Sequence, residues 1–341
     1  MRKRRLLIAL AVLVVFLLVG LLVWLRARSA PEAVRLLPEC DAVIYTNLQP
    51  LRLGAVFSSL PEPQREMEYE EFVRGTGFQF ERDLDQAAFA VHQPGSAHNT
   101  EQETRFSEVF VGRFNYDRLT GYLRKKAQII DRYRETDVFT IPVEGRSVRV
   151  AILSVNMVAV SNVAQPNVLD SIIDRARQGG LPFGGPQLVR DYYRHVPFGS
   201  LGWSVAALSR SGRKNLTLPG GFELPFPPNT TLVASVRFSG TINLKAEAFT
   251  PSEQDSKTVA ENLNLVLSLF RSMQANLGSS GADPDVKSFF DSIEVKQERN
   301  KAVITATLSP GFLKKAMQEA PATVVPPTSQ PTLPKEKRRR K

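Results

Sequence analysis

Residues that carry chemistry are scarce in this 341-residue chain, which has one cysteine, three histidines and two tryptophans. With Cys40 alone, no intramolecular disulfide forms, and stability rests on the packed core. A lone cysteine beside Ala-Val-Ile-Tyr reads as a small buried hydrophobe, with pairing to a second chain as the alternative in an oxidising compartment. His92, His98 and His195 show no H-x-x-x-H spacing, and C-x-x-C is absent, which removes the common metal motifs. Asp283-Pro284-Asp285 lacks the glycine and the later glutamate of a calcium loop, so Asp283 reads as a helix cap. There is no G-x-S-x-G, and the glycines at 179–180 and 184–185 carry no G-K-S/T. They read as turns and a helix start. No cofactor and no metal are implied.

Two groupings remain to be weighed as catalytic. Asp191, His195 and Ser200 lie close in sequence, and such a trio suits a nucleophilic relay. Asp191 and His195 are also four apart on a predicted helix, where an ordinary surface pair is the commoner outcome. Asp83 and Asp85 suggest paired carboxylates, but they share one side of a strand start next to Arg82, and a solvated loop explains them.

What is present in quantity is apolar sequence at one end and positive charge at both. Leu6–Leu25 is an uncharged apolar run. Twenty helical residues at ~1.5 Å each span about 30 Å, the hydrocarbon thickness of a bilayer. Arg2, Lys3, Arg4 and Arg5 precede the run; Trp24, Arg26 and Arg28 close it. The positive-inside rule places the N-terminus in the cytoplasm and the body outside, periplasmic or extracellular. The competing reading is a cleaved signal peptide, but its apolar core is about 7–15 residues and Ala27-Arg28-Ser29 is a poor cleavage site.

The net charge of +10 is concentrated at the ends: +6 in residues 1–28 and +5 in 335–341, leaving −1 for the body. A nucleic-acid-binding domain is basic over a face, so nucleic acid is disfavoured as a partner. The tail 321–341 is rich in proline and ends with Lys335, Lys337, Arg338, Arg339, Arg340 and Lys341. Its composition predicts disorder and an electrostatic role toward anionic lipid or acidic wall polymer.

Along the body, Ser29–Arg35 reads as a connector and Asp41–Leu48 as a strand. A charged helix follows over 62–74, with Met67, Phe72 and Val73 inward, then a strand over Ala87–His92. A strand–cap–helix pattern then occurs three times. The first copy is Val109–Phe114, the cap Asn115, and a helix to about Tyr133 through Leu119, Tyr122, Leu123, Ala127 and Ile130. The second has strands Val148–Leu153 and Met157–Val160, then a helix opened by Pro166 with Val168, Leu169, Ile172, Ile173 and Ala176 on one face. The third is Ala302–Leu308, the cap Ser309, and a helix carrying Phe312, Leu313, Ala316 and Met317. Between the second and third, Thr250-Pro251-Ser252-Glu253 reads as a capping box on Thr250. It opens a long helix with the stripe Val259, Leu263, Val266, Leu267, Phe270, Met273 and Leu277. Pro284 starts a shorter helix with Val286, Phe289 and Phe290 inward, and Ile293–Gln297 pairs with the third strand.

Several stretches have a familiar pattern. The segment Glu108–Gln178 contains EVFVGRFNYDRLTGYL and DVFTIPVEGRSVRVAILSVNMVAVSN. It resembles bacterial membrane-anchored exported proteins of unknown function, with a strand ending Gly-x-Phe and an Asp-led helix. LLPECDAVIYTNLQPLR is similar to the start of such exported domains. LKAEAFTPSEQDSKTVAENLNLVLSLFRSM resembles envelope proteins from acidobacterium-like genomes. The resemblance implies shared structural motifs and carries no catalytic residue.

The expectation is an α+β protein: a cytoplasmic stub 1–5, a transmembrane helix 6–25, a first half 33–210, a Pro/Gly linker 211–229, a second half 230–320 and a disordered tail 321–341. Each half is an antiparallel sheet covered by helices on one face. The function expected is non-enzymatic binding or scaffolding at the plasma (inner) membrane. A hydrolase using 183–204, and a cytoplasm-facing protein with a nucleic-acid-binding tail, are the alternatives.

Overall fold

Short runs that alternate between β-forming apolar residues and small or polar ones specify strands with two different faces. The computed structural model describes residues 29–50, 67–95, 103–143, 145–181, 184–208, 215–217, 223–276, 284–309 and 311–312. The 6–25 run, its flanks Arg2, Lys3, Arg4, Arg5, Trp24, Arg26 and Arg28, and the tail from Lys335 to Lys341 lie outside these residues. So do Asp283, Leu277, Leu313, Ala316 and Met317. Among the described residues, no helix is long and apolar enough to cross a membrane.

In chain order the elements are α1 (Glu32–Leu36), β1 (Ala42–Asn47), α2 (Met67–Thr76), α3 (Phe80–Asp83), β2 (Leu84–His92) and β3 (Arg105–Gly112). Then come α4 (Tyr116–Lys126), β4 (Ile129–Tyr133), β5 (Thr136–Val143), β6 (Arg146–Ser154), β7 (Met157–Ser161), α5 (Pro166–Arg177) and α6 (Gln187–Tyr192). A 3-10 turn at Tyr193–His195 leads to β8 (Gly202–Ala207), β9 (Asn215–Thr217), β10 (Glu223–Pro225), β11 (Thr231–Phe238) and β12 (Ile242–Phe249). The last are α7 (Glu253–Asn276), α8 (Pro284–Ser292), β13 (Glu294–Glu298) and β14 (Lys301–Leu308).

Twelve of the strands form one antiparallel sheet, in the order β13-β14-β12-β11-β8-β1-β2-β3-β7-β6-β5-β4. Antiparallel sheet with helices was expected as two halves; it is instead one large sheet, which residues 211–229 do not divide. β8 pairs with β11 across that segment, Val205 opposite Val233. The segment itself contributes β9 and β10, which pair with each other, and it buries Leu224 and Phe226 against Val259 and Ala260 of α7.

Helices cover both faces rather than one. The row Val138–Ala151–Ala159–Val109–Ala88–Tyr45–Trp203–Ser235 runs across eight strands as direct partners, and every member is buried. Directly opposed residues share a face. On this face lie Val34 and Leu36 of α1, Leu169, Ile172 and Ile173 of α5, and Val189 of α6. Full burial of each such side chain contributes about 1.5–3 kcal/mol. α1 therefore belongs to the core, where a connector was expected. Arg175 ties it down, donating to the Leu36 and Leu37 carbonyls that end the short helix.

The opposite face is covered at its two ends. α4 packs Leu119 and Leu123 on Phe139, Val150 and Val158. α2 adds Phe72 to Phe78, Phe89 and Phe110. At the far end α7 sets Val259 and Ala260 against Ala248 and Ala302.

Four local expectations are corrected. The first helix of the repeated pattern ends at Lys126, and Ile129–Tyr133 is strand β4, paired with β5. Their turn places Arg134 and Glu135 both at positive φ, a geometry that Asn-Gly usually announces. Met67 is 86 % exposed, not inward. The cap of α7 is Ser252, whose Oγ accepts from the Asp255 N–H, while Thr250 donates to the Ser252 and Asn300 carbonyls. Asp83 is buried, not a solvated loop residue.

Candidate functional site

The Gly-x-Phe motif shows how a sequence signature becomes geometry. A Cβ on Gly112 would lie 2.6 Å from the Asp83 carbonyl oxygen, so only glycine admits that backbone. Arg113 reaches the Asp83 carboxylate at 3.3 Å, and Arg82 reaches it at 2.7 Å. Phe114 stacks on Phe78 at 4.5 Å. Burial pushes the Asp83 carboxyl up, but hydrogen bonds from Arg82 and the Gln79 N–H, with both guanidinium charges, hold it below its usual range. The motif clamps α3 to the end of β3; its chemistry is structural.

The 183–204 region places its three candidates apart. Asp191 is exposed on α6, and no hydrogen bond links it to His195. The His195 ring lies 4.5 Å from Phe249, and its Nε2 accepts from Arg194 Nε at 3.2 Å. Burial, with nearby Arg194, Lys301 and Lys245, lowers its pKa against the pull of Glu247. Ser200 Oγ donates to the Pro197 carbonyl and lines a different cavity, beside Tyr193 and Phe198. With Nε2 accepting from Arg194 and Ser200 turned elsewhere, the relay geometry is not assembled.

Asp191 and His195 instead edge an open polar cleft of about 1110 Å³. Arg190, Arg194, Arg299 and Lys301 give it cationic walls, and Tyr192, His195 and Phe249 give it an aromatic floor. A second His/Ser grouping escaped the sequence reading. His92 Nε2 lies 3.0 Å from Ser107 Oγ, which lies 3.0 Å from Ser161 Oγ. All three are buried on β2, β3 and β7, without access for a substrate, so the chain pins strand register. Among the described residues, no group of three or more His, Cys, Asp or Glu side chains converges to hold a metal ion.

The feature without a structural explanation is on the other side of the sheet. Ile130, Phe139, Val150, Val160, Glu108, Phe89, Ile44, Ser204, Ala234, Ala246, Ile304 and Val295 are successive cross-strand partners over all twelve strands. Helices cover both ends of this row. In its middle Ile44, on the sixth strand from one edge, is 45 % exposed, whereas Val43 beside it is fully buried. Next to Ile44 the small residues Gly202, Ser204, Ala234 and Ala246 floor a trough of about 610 Å³, walled by Phe289 of α8 and by Ile293 just after it. A second apolar cavity of about 490 Å³ lies on the same face under α2 and α4, lined by Phe80, Phe110 and Tyr122. Glu108 is the single charged member of the row, and burial pushes its carboxyl up to about 7.

Sequence periodicity located β1, β2, β3, β6, β7, β13 and β14, but neither β8, β11 and β12 beneath the trough nor the exposure of this face. Ile44 carries the same local signal as its buried neighbours, and what sets it apart is that no helix among the described residues lies above it.

No protein-family model and no curated protein matches the chain. Among solved structures, crystal form III of TP0453 is similar, with 10 % identity and a TM-score of 0.46, over 84 % of this chain and 97 % of that one. Crystal form I of TP0453 aligns with 10 % identity and a TM-score of 0.42, over 85 % and 98 %. Crystal form IV of TP0453 aligns with 9 % identity and a TM-score of 0.43, over 84 % and 96 %.

Proposed function

We propose that this chain is a non-enzymatic binding module held at the outer surface of the plasma (inner) membrane by residues 6–25, with its N-terminus cytoplasmic. One observation carries the reading: an apolar trough that the described residues leave uncovered, on a sheet whose other face is buried across eight strands. Contiguous exposed apolar surface of this kind marks a contact site. Ala30 is already part of the body's core. Only four residues separate it from Leu25, five chain steps that reach about 17 Å at most when extended. The anchor therefore holds the body against the bilayer. The tail from Lys335 to Lys341 supplies a second contact, to anionic lipid headgroups or acidic wall polymers.

The test is membrane fractionation of cells expressing the full chain, with a C-terminal topology reporter. The proposal expects the chain to stay in the pellet after alkaline carbonate extraction and the reporter to lie outside the cytoplasm. Release by carbonate, or a cytoplasmic reporter, overturns it.

A further inference from the structure

The trough's chemistry narrows its occupant. Each strand beneath it, β1, β8, β11, β12 and β14, has a partner on both edges. No ladder groups are left to add a peptide strand, so β-augmentation has nothing to bond. On this face the five strands present three rows, those of Ala42, Ile44 and Thr46 with their partners. Those fifteen positions include no charged side chain, and Thr46 and Ser204 are the two that bear a polar group. An occupant that needs hydrogen bonds for orientation finds almost none.

The shape is an open groove. Its floor is small because Ser204, Ala234 and Ala246 are direct partners, and its sides are the bulky Ile44 and Phe289. At ~30 Å³ for a water-sized group, 610 Å³ holds on the order of twenty methylene-sized units. A long, narrow, featureless hydrocarbon matches that space. The four-residue tether to the apolar run brings the body to a source of such chains.

We infer that the trough takes a hydrocarbon chain of a membrane amphiphile, a lipid acyl chain seated across β8, β11 and β12. The source of the chain rests on the anchored reading above. Each methylene that enters strengthens binding about fourfold, so affinity rises with chain length until the recess is full.

The test uses the full chain in phosphatidylcholine vesicles carrying a trace of phospholipid with a photoactivatable diazirine at the end of one acyl chain. After irradiation, adducts are mapped by mass spectrometry. The inference expects adducts on peptides of β8, β11 or β12 as well as on residues 6–25. Ala234→Phe, which fills the floor, should lower the trough adducts at least fivefold and leave the anchor adducts unchanged. Ser204→Leu serves the same end should Ala234→Phe fail to fold. Added palmitate should compete for the trough far better than octanoate at equal concentration. Adducts on 6–25 alone overturn the inference and leave the anchored reading standing. Adducts on the trough with none on 6–25, and release by carbonate, support the inference and overturn the anchored reading. No adducts at either place overturn both.

Discussion

Lys301 Nζ lies 2.6 Å from Glu247 Oε1, an oxygen on a side chain only 2 % exposed, and so supplies the charge that lets a carboxylate sit at the back of the polar cleft. Lys245 approaches the same oxygen at 3.2 Å. Removing one partner of a buried pair typically costs about 3–5 kcal/mol, because the other charge is stranded. Lys301→Met should fall at or just below the low end, since Lys245 remains. The double change Lys301→Met with Glu247→Met should recover most of the loss. Urea denaturation of the four combinations measures this; a double variant less stable than Lys301→Met contradicts it.

The cap of α7 predicts an ordering of two substitutions. Ser252→Ala removes the acceptor of the Asp255 N–H and should cost about 0.5–2 kcal/mol. Thr250→Val keeps the shape of a buried residue but loses its hydrogen bonds to the Ser252 and Asn300 carbonyls. It should loosen the β13–β14 turn rather than the helix start. Amide exchange reads the two apart: early protection loss in the first turn of α7 for Ser252→Ala, and at residues 299–301 for Thr250→Val.

Glu108 should make stability fall with rising pH. Its folded carboxyl is pushed up to about 7, so the folded state holds a proton that the unfolded chain, with a pKa near 4.3, releases earlier. That contribution is fully present below about pH 4.3 and is lost as pH rises through 7. The total is at most about 4 kcal/mol. Glu108→Gln should match the wild type near pH 4 and exceed it at pH 8. Parallel pH profiles for the two proteins would refute the assignment.

The two faces of β1 should respond differently to truncation. Val43→Ala opens space in a packed layer and should cost about 2 kcal/mol or more. Ile44→Ala changes a half-open position and should cost under about 1 kcal/mol. Thermal melts settle the comparison, and equal losses would mean that the trough is covered in solution.

The tail should act as an electrostatic tether. From Pro321 to Pro334 an extended chain reaches roughly 40 Å at ~3.1 Å per residue, carrying the basic cluster away from the body. Full-length chain and a chain ending at Pro334, both in neutral vesicles, should differ in capture of anionic vesicles at low salt and converge at high salt. Equal capture at all salt concentrations would remove the tether.

Much of this architecture was legible without the structure, because its signals are local. Asn115 caps α4 by accepting from the Arg118 N–H, as its place before an amphipathic run implies. Pro166 opens α5 and the glycines at positive φ close it. The hairpin of β6 and β7 follows from two apolar runs around Val155-Asn156. Elsewhere local signals misled. Ile130 continues the helical spacing of Leu119, Leu123 and Ala127, yet pairs with Phe139 in the sheet. Ser252 caps α7 where Thr250 also had the right residue type.

Sequence alone determined where several of the strands and helices lie, and that a single cysteine leaves no disulfide within this sequence. Tertiary structure decided that β8 and β11 join across residues 208–230 into one sheet, that Asp83 is buried between two arginines, and that Asp191, His195 and Ser200 separate. It also decided that Ile44 stays half-open while Val43 is sealed. The physical reason is range. Caps and periodicity depend on residues within a few positions of each other. Pairing, burial and the exposure of Ile44 depend on which distant elements arrive, and in what order they pack.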